Sequence, residues 1–179
     1  MAVLAALLTL PAALHAADDK YEGVRKCKPC HEAKSKGSQV TAWQATDHAK
    51  AFERLSGPEA KEVGEKLGVA DPANDPKCVK CHTTAFGASS EQLGRRFNKA
   101  EGITCEACHG AASRHVKARV SSEEESDGFI NIPDAEIDKA PSAKVCLTCH
   151  NKESPTHKPF KHSEAVKKIS HPDPRRARK

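Results

Sequence analysis

Every cysteine of the chain belongs to one five-residue pattern, in which two cysteines are separated by two residues and a histidine follows directly. The pattern occurs four times and uses all eight cysteines. The four copies are Cys27-Lys28-Pro29-Cys30-His31, Cys78-Val79-Lys80-Cys81-His82, Cys105-Glu106-Ala107-Cys108-His109 and Cys146-Leu147-Thr148-Cys149-His150. This spacing is typical of c-type haem attachment, in which both thiols bond to the haem and the histidine binds its iron. The sequence therefore predicts four covalently bound haems.

Zinc sites and disulfide scaffolds are the alternative uses of paired cysteines. Neither requires a histidine directly after the second cysteine of every pair. Four complete copies with no cysteine left over favour haem attachment.

The second axial ligand of each iron is predicted to be histidine. The only methionine is Met1, which lies in a predicted signal peptide, so ligation by methionine is excluded. Beyond the four proximal histidines and His15 of the signal, five candidates remain: His48, His115, His157, His162 and His171.

Two of these candidates lie on apolar helix faces. His48 shares a predicted face with Phe52 and Leu55, at positions i, i+4 and i+7. His162 has the same relation to Val166 and Ile169, although His157 and His171 compete with it in the same region.

Large apolar residues are scarce. Outside residues 1–16, Leu, Ile, Val and Phe account for 23 of 163 residues, about 14%. A chain this poor in apolar residues usually stays disordered, so the haems are expected to supply the core. We predict one mainly α-helical domain over residues 17–179, with few strands, packed around four covalent haems.

The periodicity and the Gly and Pro residues also predict individual elements. Loops are expected over 71–76, 83–98 and 121–128, the last one acidic. The predicted helices are Ser38–Ser56, Glu59–Leu67, Ala111–Val120, Ser142–His150 and Ser163–Ser170.

Residues 1–16 resemble an export signal, with an apolar run from Val3 to Leu14 and a small-residue cleavage site, although no Lys or Arg precedes Lys20. The run is too short to span a bilayer. We therefore expect a periplasmic or extracellular protein that does not span a membrane.

The formal charge of +5 does not indicate a nucleic-acid partner. Each ferric haem with two ionised propionates and two histidine ligands adds about −1, which leaves a net charge of about +1 for four haems. The expected partners are redox proteins of unknown identity.

The order of these motifs resembles that of the cytochrome c-554 family, over nearly the whole chain after the signal. The similar segments are Trp43-Gln44-Ala45-Thr46-Asp47-His48-Ala49-Lys50-Ala51, Cys81-His82-Thr83-Thr84-Ala85-Phe86-Gly87, Gly102-Ile103-Thr104-Cys105-Glu106-Ala107-Cys108-His109-Gly110 followed by His115, and a closing Phe160 with Ile169-Ser170-His171. The resemblance implies a mainly helical fold with closely stacked haem pairs.

The family's pattern also implies distal ligands. It places His48 opposite His109, His115 opposite His150, and His171 opposite His31.

In the family's type member, the second iron, held here by His82, has no strong distal ligand. This chain differs, because His157 and His162 stand where relatives more often have aromatic residues. Either could close that iron, and we favour His162 for its apolar face. All four haems are then expected to be bis-histidine.

Three functions follow from this sequence. Six-coordinate haems offer no substrate site, which favours electron transfer outside the cytoplasm. If the His82 iron is open, the alternative is a haem enzyme acting on small nitrogen compounds. The third is a subunit of an extracellular cytochrome filament, formed by self-assembly.

Mass spectrometry tests the haem count. The processed chain is expected to exceed its polypeptide mass by four haem masses and to keep its colour after denaturation and acid–acetone extraction. Extractable haem, or a colourless protein loaded with zinc, would refute the assignment.

Overall fold

A computed structural model describes residues 19–123, 132–133 and 136–171. Eight α-helices form in this part of the chain: α1 Val24–His31, α2 Gln39–Gln44, α3 Pro58–Leu67, α4 Pro76–His82, α5 Cys105–His109, α6 Ser113–Glu123, α7 Ala143–Leu147 and α8 His162–Ile169. No strand occurs among these residues, where a single bridge joins Tyr21 and Leu93. The mainly helical fold class is confirmed.

Helix α3 begins and ends as its sequence predicts. Pro58 occupies the first turn, where its missing N–H costs nothing. Gly68 ends the helix in the left-handed conformation, with φ of 66°. The loop that follows leads into α4, where the side chain of Asp75 accepts a hydrogen bond from the Lys77 amide, 2.8 Å away.

The single helix predicted over Ser38–Ser56 is wrong. Helix α2 ends at Gln44, and two 3₁₀ turns follow, His48–Lys50 and Glu53–Ser56. The cause is a contact with a distant loop, because the His48 carbonyl accepts hydrogen bonds from the amides of Ile103 (3.1 Å) and Ala51 (3.2 Å).

Gly102 makes that contact feasible. Its φ is 76°, and a Cβ atom there would lie 2.8 Å from the His48 carbonyl oxygen. Trp43 holds the same loop, because its indole N–H donates to the Ile103 carbonyl at 2.8 Å. The long-range contact outweighs the helical periodicity of this segment.

The other predicted elements agree more closely with the structure. Helices α6, α7 and α8 begin and end within one to three residues of their predicted bounds. Residues 83–98 form a loop with one 3₁₀ turn, Ser90–Gln92. The predicted acidic loop begins inside α6, and its residues 124–128 lie outside the described part. The predicted signal peptide, residues 1–16, also lies outside it.

Side chains alone form a small core. The buried apolar residues of the described part are Val24, Val40, Ala51, Leu55, Val69 and Ala112. This agrees with the low content of large apolar residues. No helix in the described ranges is long and apolar enough to cross a membrane.

Glu106 joins the first haem motif to the third. The residue is 3% exposed, and its carboxylate accepts hydrogen bonds from the amides of Glu22 (2.8 Å), Gly23 (2.9 Å) and Ala112 (3.0 Å). Burial raises the pKa of Glu106, and the three amides oppose that shift. The start of α1 is thereby held against α5.

Replacing Glu106 with alanine is expected to destabilise the haem-loaded protein. The substitution leaves three amides without an acceptor, and at about 1–3 kcal/mol for each buried donor the loss of unfolding free energy is roughly 3 kcal/mol or more. Guanidinium unfolding measures it. Glu62→Ala is the control, since Glu62 is exposed and pairs with Lys66 on the surface, where an ion pair adds little to stability. Equal losses in the two variants would contradict the role of Glu106.

Candidate haem-binding site

Each C-x-x-C-H motif lies on a turn of helix or at its end. The first motif ends α1 and the second ends α4; the third forms α5, and the fourth runs from α7 into the turn after it. Helical residues three and four positions apart lie on one face, so each turn presents both thiols and the histidine on the same side. This is the arrangement that a covalently bound haem requires.

The described cysteines argue against the alternative uses of paired thiols. None of the eight forms a disulfide in the described structure, and all are partly buried. Within the described ranges, no group of three or more His, Cys, Asp or Glu side chains is arranged to hold a metal ion. The histidine directly after each second cysteine, which neither alternative requires, favours haem attachment.

The motifs touch one another through their cysteines. A hydrogen bond between Cys27 and Cys105 raises the pKa of Cys27 and lowers that of Cys105. Cys81 is in contact with Cys149. Burial is the main cause that raises the pKa of Cys81 to about 11, and Cys149 adds to the shift. The first motif thus adjoins the third, and the second adjoins the fourth.

These two pairs of motifs also lie near each other. Burial raises the pKa of Cys108 to about 11, and nearby Cys146 adds to the shift. The third motif therefore adjoins the fourth. The attachment points form a continuous series in the order first, third, fourth and second.

Six histidine rings face one another in three pairs. The ring centroids are 6.2 Å apart for His31 and His115, 6.0 Å for His48 and His150, and 5.9 Å for His109 and His171. Because a histidine nitrogen lies about 2 Å from the metal it binds, two imidazoles on opposite sides of one ion have centroids about 6 Å apart. Each pair therefore fits one iron between its rings.

Burial favours the neutral form of these rings. It is the main cause that lowers the pKa of His31, His48, His115 and His150. A histidine must be neutral to bind a metal, so these surroundings suit ligation.

The three pairs differ from those that the family pattern implies. His48 faces His150 instead of His109, His115 faces His31 instead of His150, and His171 faces His109 instead of His31. The predicted pairing is wrong, although the six residues are the same.

Contacts at the start of the described chain explain one of these pairs. The Lys20 amide donates to the Ser113 hydroxyl at 2.9 Å, and the Ser113 amide donates to the Lys20 carbonyl at 3.2 Å. Arg114 forms an ion pair with Asp19. These bonds hold the start of α6 against the segment before α1, which brings His115 to His31.

The ring of His82 has a different environment. Its Nδ1 lies 2.6 Å from the Ala51 carbonyl oxygen. A carbonyl only accepts, so Nδ1 carries the proton and Nε2 is left to bind a metal. Among the described residues, no second histidine ring is in contact with that of His82.

Neither proposed partner of His82 reaches it in the structure. His157 is exposed and lies near the fourth motif, where it adds to the lowering of the His150 pKa by burial. Protein atoms cover Nε2 of His162, which has no hydrogen-bond partner. Ligation of the second iron by His162 stays a prediction.

Sequence reasoning missed two residues that contact the paired histidines. The Phe160 ring stacks on His150, with centroids 4.6 Å apart and planes 13° from parallel. A carboxylate oxygen of Glu136 lies 3.3 Å from Nδ1 of His115. Phe160 stood out only through the family resemblance, and no motif marks Glu136.

Known proteins resemble this chain in sequence and in fold. Residues 26–110 match the family model described as cytochrome c554 and c-prime. Cytochrome c-554 of Nitrosomonas europaea is 38% identical over 117 residues, which are 60% of this chain and 46% of that protein. The C-type polyheme cytochrome OmcC of Geobacter sulfurreducens is 30% identical over 102 residues, which are 53% of this chain and 12% of that protein. The chain thus spans less than half the length of these relatives.

A solved structure of cytochrome c554 from Nitrosomonas europaea in the reduced state has the same fold. The alignment covers 84% of this chain and 78% of the solved chain, with a TM-score of 0.53 and 27% identity. The helical fold and its C-x-x-C-H turns define a multihaem c-type cytochrome. In both sequence and fold, the chain is similar to the cytochrome c-554 family.

The pairing of His48 with His150 can be tested by two substitutions. His48→Ala is expected to turn one low-spin haem high-spin, as seen by low-temperature EPR, while the covalent haem count stays at four. Phe160→Leu is expected to shift the low-spin signal of the same haem, because Phe160 stacks on His150. Two different haems affected by these variants would contradict the pairing. His157→Ala is the control and should leave the spectrum unchanged.

Proposed function

We propose that this chain is a tetrahaem c-type cytochrome that transfers electrons between redox proteins outside the cytoplasm. Haem iron supplies the chemistry, since it accepts and releases one electron without leaving its ligands. The carrying observation is the set of three histidine pairs with centroids 5.9–6.2 Å apart. Irons ligated by histidine on both sides suit electron transfer and leave no position for a substrate.

The contacts between motifs support transfer within one chain. Cysteines of the first and third, third and fourth, and fourth and second motifs adjoin one another. Since each cysteine bonds to a haem edge, these contacts bring neighbouring edges together. Electrons entering at one end of this series would reach the other without leaving the protein.

Backbone carbonyls of the chain orient two of the candidate iron ligands. Carbonyl oxygens of Ala51 and Asp138 lie 2.6 and 2.5 Å from Nδ1 of His82 and His109. Each fixes the tautomer and the orientation of its ring, so that Nε2 points away from the backbone contact. Rings held this way need little rearrangement when the charge on the metal changes.

One observation favours a second candidate function. In the described part of the chain, the His82 ring is in contact with no other histidine ring. An iron with one open position can bind a small molecule, as open metal sites in enzymes do. The second haem could then act on small nitrogen compounds, in addition to electron transfer by the other three.

Location and assembly are part of the proposal. The signal-like residues 1–16 and the extracytoplasmic attachment of c-type haems support export to the periplasm or the cell exterior. Redox proteins are the proposed partners. In a filament, a neighbouring copy could also supply the missing ligand to the His82 iron.

A reductive titration, performed with and without carbon monoxide, tests these proposals. The oxidised protein is expected to take up four electrons per chain. Carbon monoxide should raise the midpoint potential of no more than one haem, because it binds only an open ferrous iron and, in the described part of the chain, only His82 among the proximal histidines lacks a facing histidine ring. Fewer than four electrons would refute the tetrahaem assignment. Two or more shifted haems would refute the histidine pairs.

The same titration decides the state of the second haem. If carbon monoxide shifts no potential, the iron at His82 has both axial positions filled. The alternative of a haem enzyme is then refuted. His162→Phe would then open a single carbon monoxide site if His162 is the ligand, whereas the matched variant His157→Phe would not.

A further inference from the structure

A buried carboxylate lies behind one of the six paired histidines. Oε2 of Glu136 is 3.3 Å from Nδ1 of His115, and Oε1 accepts a hydrogen bond from Arg119 at 2.7 Å. The exposed fractions of the side chains are 11% for Glu136, 10% for His115 and 17% for Arg119. The three form a charged cluster that is largely closed to water.

Helix α6 holds two members of this cluster on one face. His115 and Arg119 are four residues apart, which places them one above the other on the helix surface. Glu136 comes from the segment after the helix and contacts both with its two oxygens. Arg119 thereby fixes the carboxylate next to the imidazole.

Nδ1 of His115 contacts a charged group, whereas Nδ1 of two other histidines contacts a neutral one. His82 and His109 direct Nδ1 at the neutral carbonyls of Ala51 and Asp138. A carboxylate that accepts a hydrogen bond from Nδ1–H makes the imidazole a stronger electron donor to the metal. Its negative charge also favours the more positive oxidation state of a nearby ion, most of all where water does not screen it.

We propose that Glu136 lowers the reduction potential of the haem held between His31 and His115, and that Arg119 moderates this effect as the countercharge of the carboxylate. The inference rests on the proposed electron-transfer function. The first motif lies at one end of the series of adjoining motifs. Its haem, at that end, then accepts an electron less readily than it would with a neutral partner at Nδ1 of His115.

Glu136→Gln tests the carboxylate. Glutamine keeps the size and an acceptor oxygen but removes the charge, so the midpoint potential of one haem should rise while the other three stay in place. The low-spin EPR signal of that haem should move toward the signal of a neutral, carbonyl-bonded imidazole. The affected haem must be the one that becomes high-spin in His115→Ala.

Arg119→Gln separates an electrostatic role from a structural one. Removal of the positive charge should lower the potential of the same haem, opposite to the effect of Glu136→Gln. A merely structural role would loosen the site in both variants and shift the potential in the same direction. Shifts of equal sign would therefore overturn the proposal.

Two further variants complete the design. Glu153→Gln is the matched control, because this exposed carboxylate pairs with Lys80 beside the second and fourth motifs. The substitution should leave the potential of the His115 haem unchanged. Glu136→Asp keeps the charge, moves it away from the imidazole, and should give a smaller rise than Glu136→Gln; it also serves if the glutamine variant does not assemble. No shift at the His115 haem in either Glu136 variant would overturn the inference while the haem count and electron uptake stood. Wild-type protein without four haems would instead refute the proposed function.

Discussion

Under the proposed assignment, pairing of histidines from distant parts of the chain is the interaction on which this fold depends. Each pair joins a C-x-x-C-H turn to a segment far from it in sequence: α1 to α6, the turn after α7 to the residues after α2, and α5 to the residues after α8. A metal held between two such rings acts as a cross-link, which restricts the unfolded chain more as the closed loop grows. Short helices and a few buried apolar side chains can then form an ordered domain, although neither would be stable alone.

Residue types and local spacing were enough to predict much of the site. The four motifs, their proximal histidines and the six residues of the three pairs are all visible in the sequence, and so are helices bounded by Pro and Gly such as α3. The partner of each histidine was not predictable, because the pairing depends on contacts such as that between Lys20 and Ser113. The break after α2 has the same origin, since it arises where the His48 carbonyl meets Ile103.

Two buried glutamates show how the fold accommodates negative charge. Glu106 is surrounded by three backbone amides, which satisfy the carboxylate and hold two haem motifs together. Glu136 meets a guanidinium and an imidazole, so its charge acts on a candidate metal ligand. Both obey the rule that buried charges need partners. The chemical nature of those partners decides whether the charge serves the fold or the site.

The two ends of the motif series differ in chemistry. At the first motif, His31 and His115 face each other, and a carboxylate lies behind His115. At the second, the described residues provide His82 with a carbonyl contact and no facing ring. Under the proposed assignment, one terminal haem is closed and biased toward its oxidised state. The other offers a position to a small ligand or a neighbouring molecule if His162 does not bind its iron. A line of haems with unlike ends has a preferred direction, because an electron moves from the site that holds it weakly to the one where the reduced iron is stabilised. The asymmetry comes from Glu136 and from the surroundings of His82, neither of which the four repeated motifs encode.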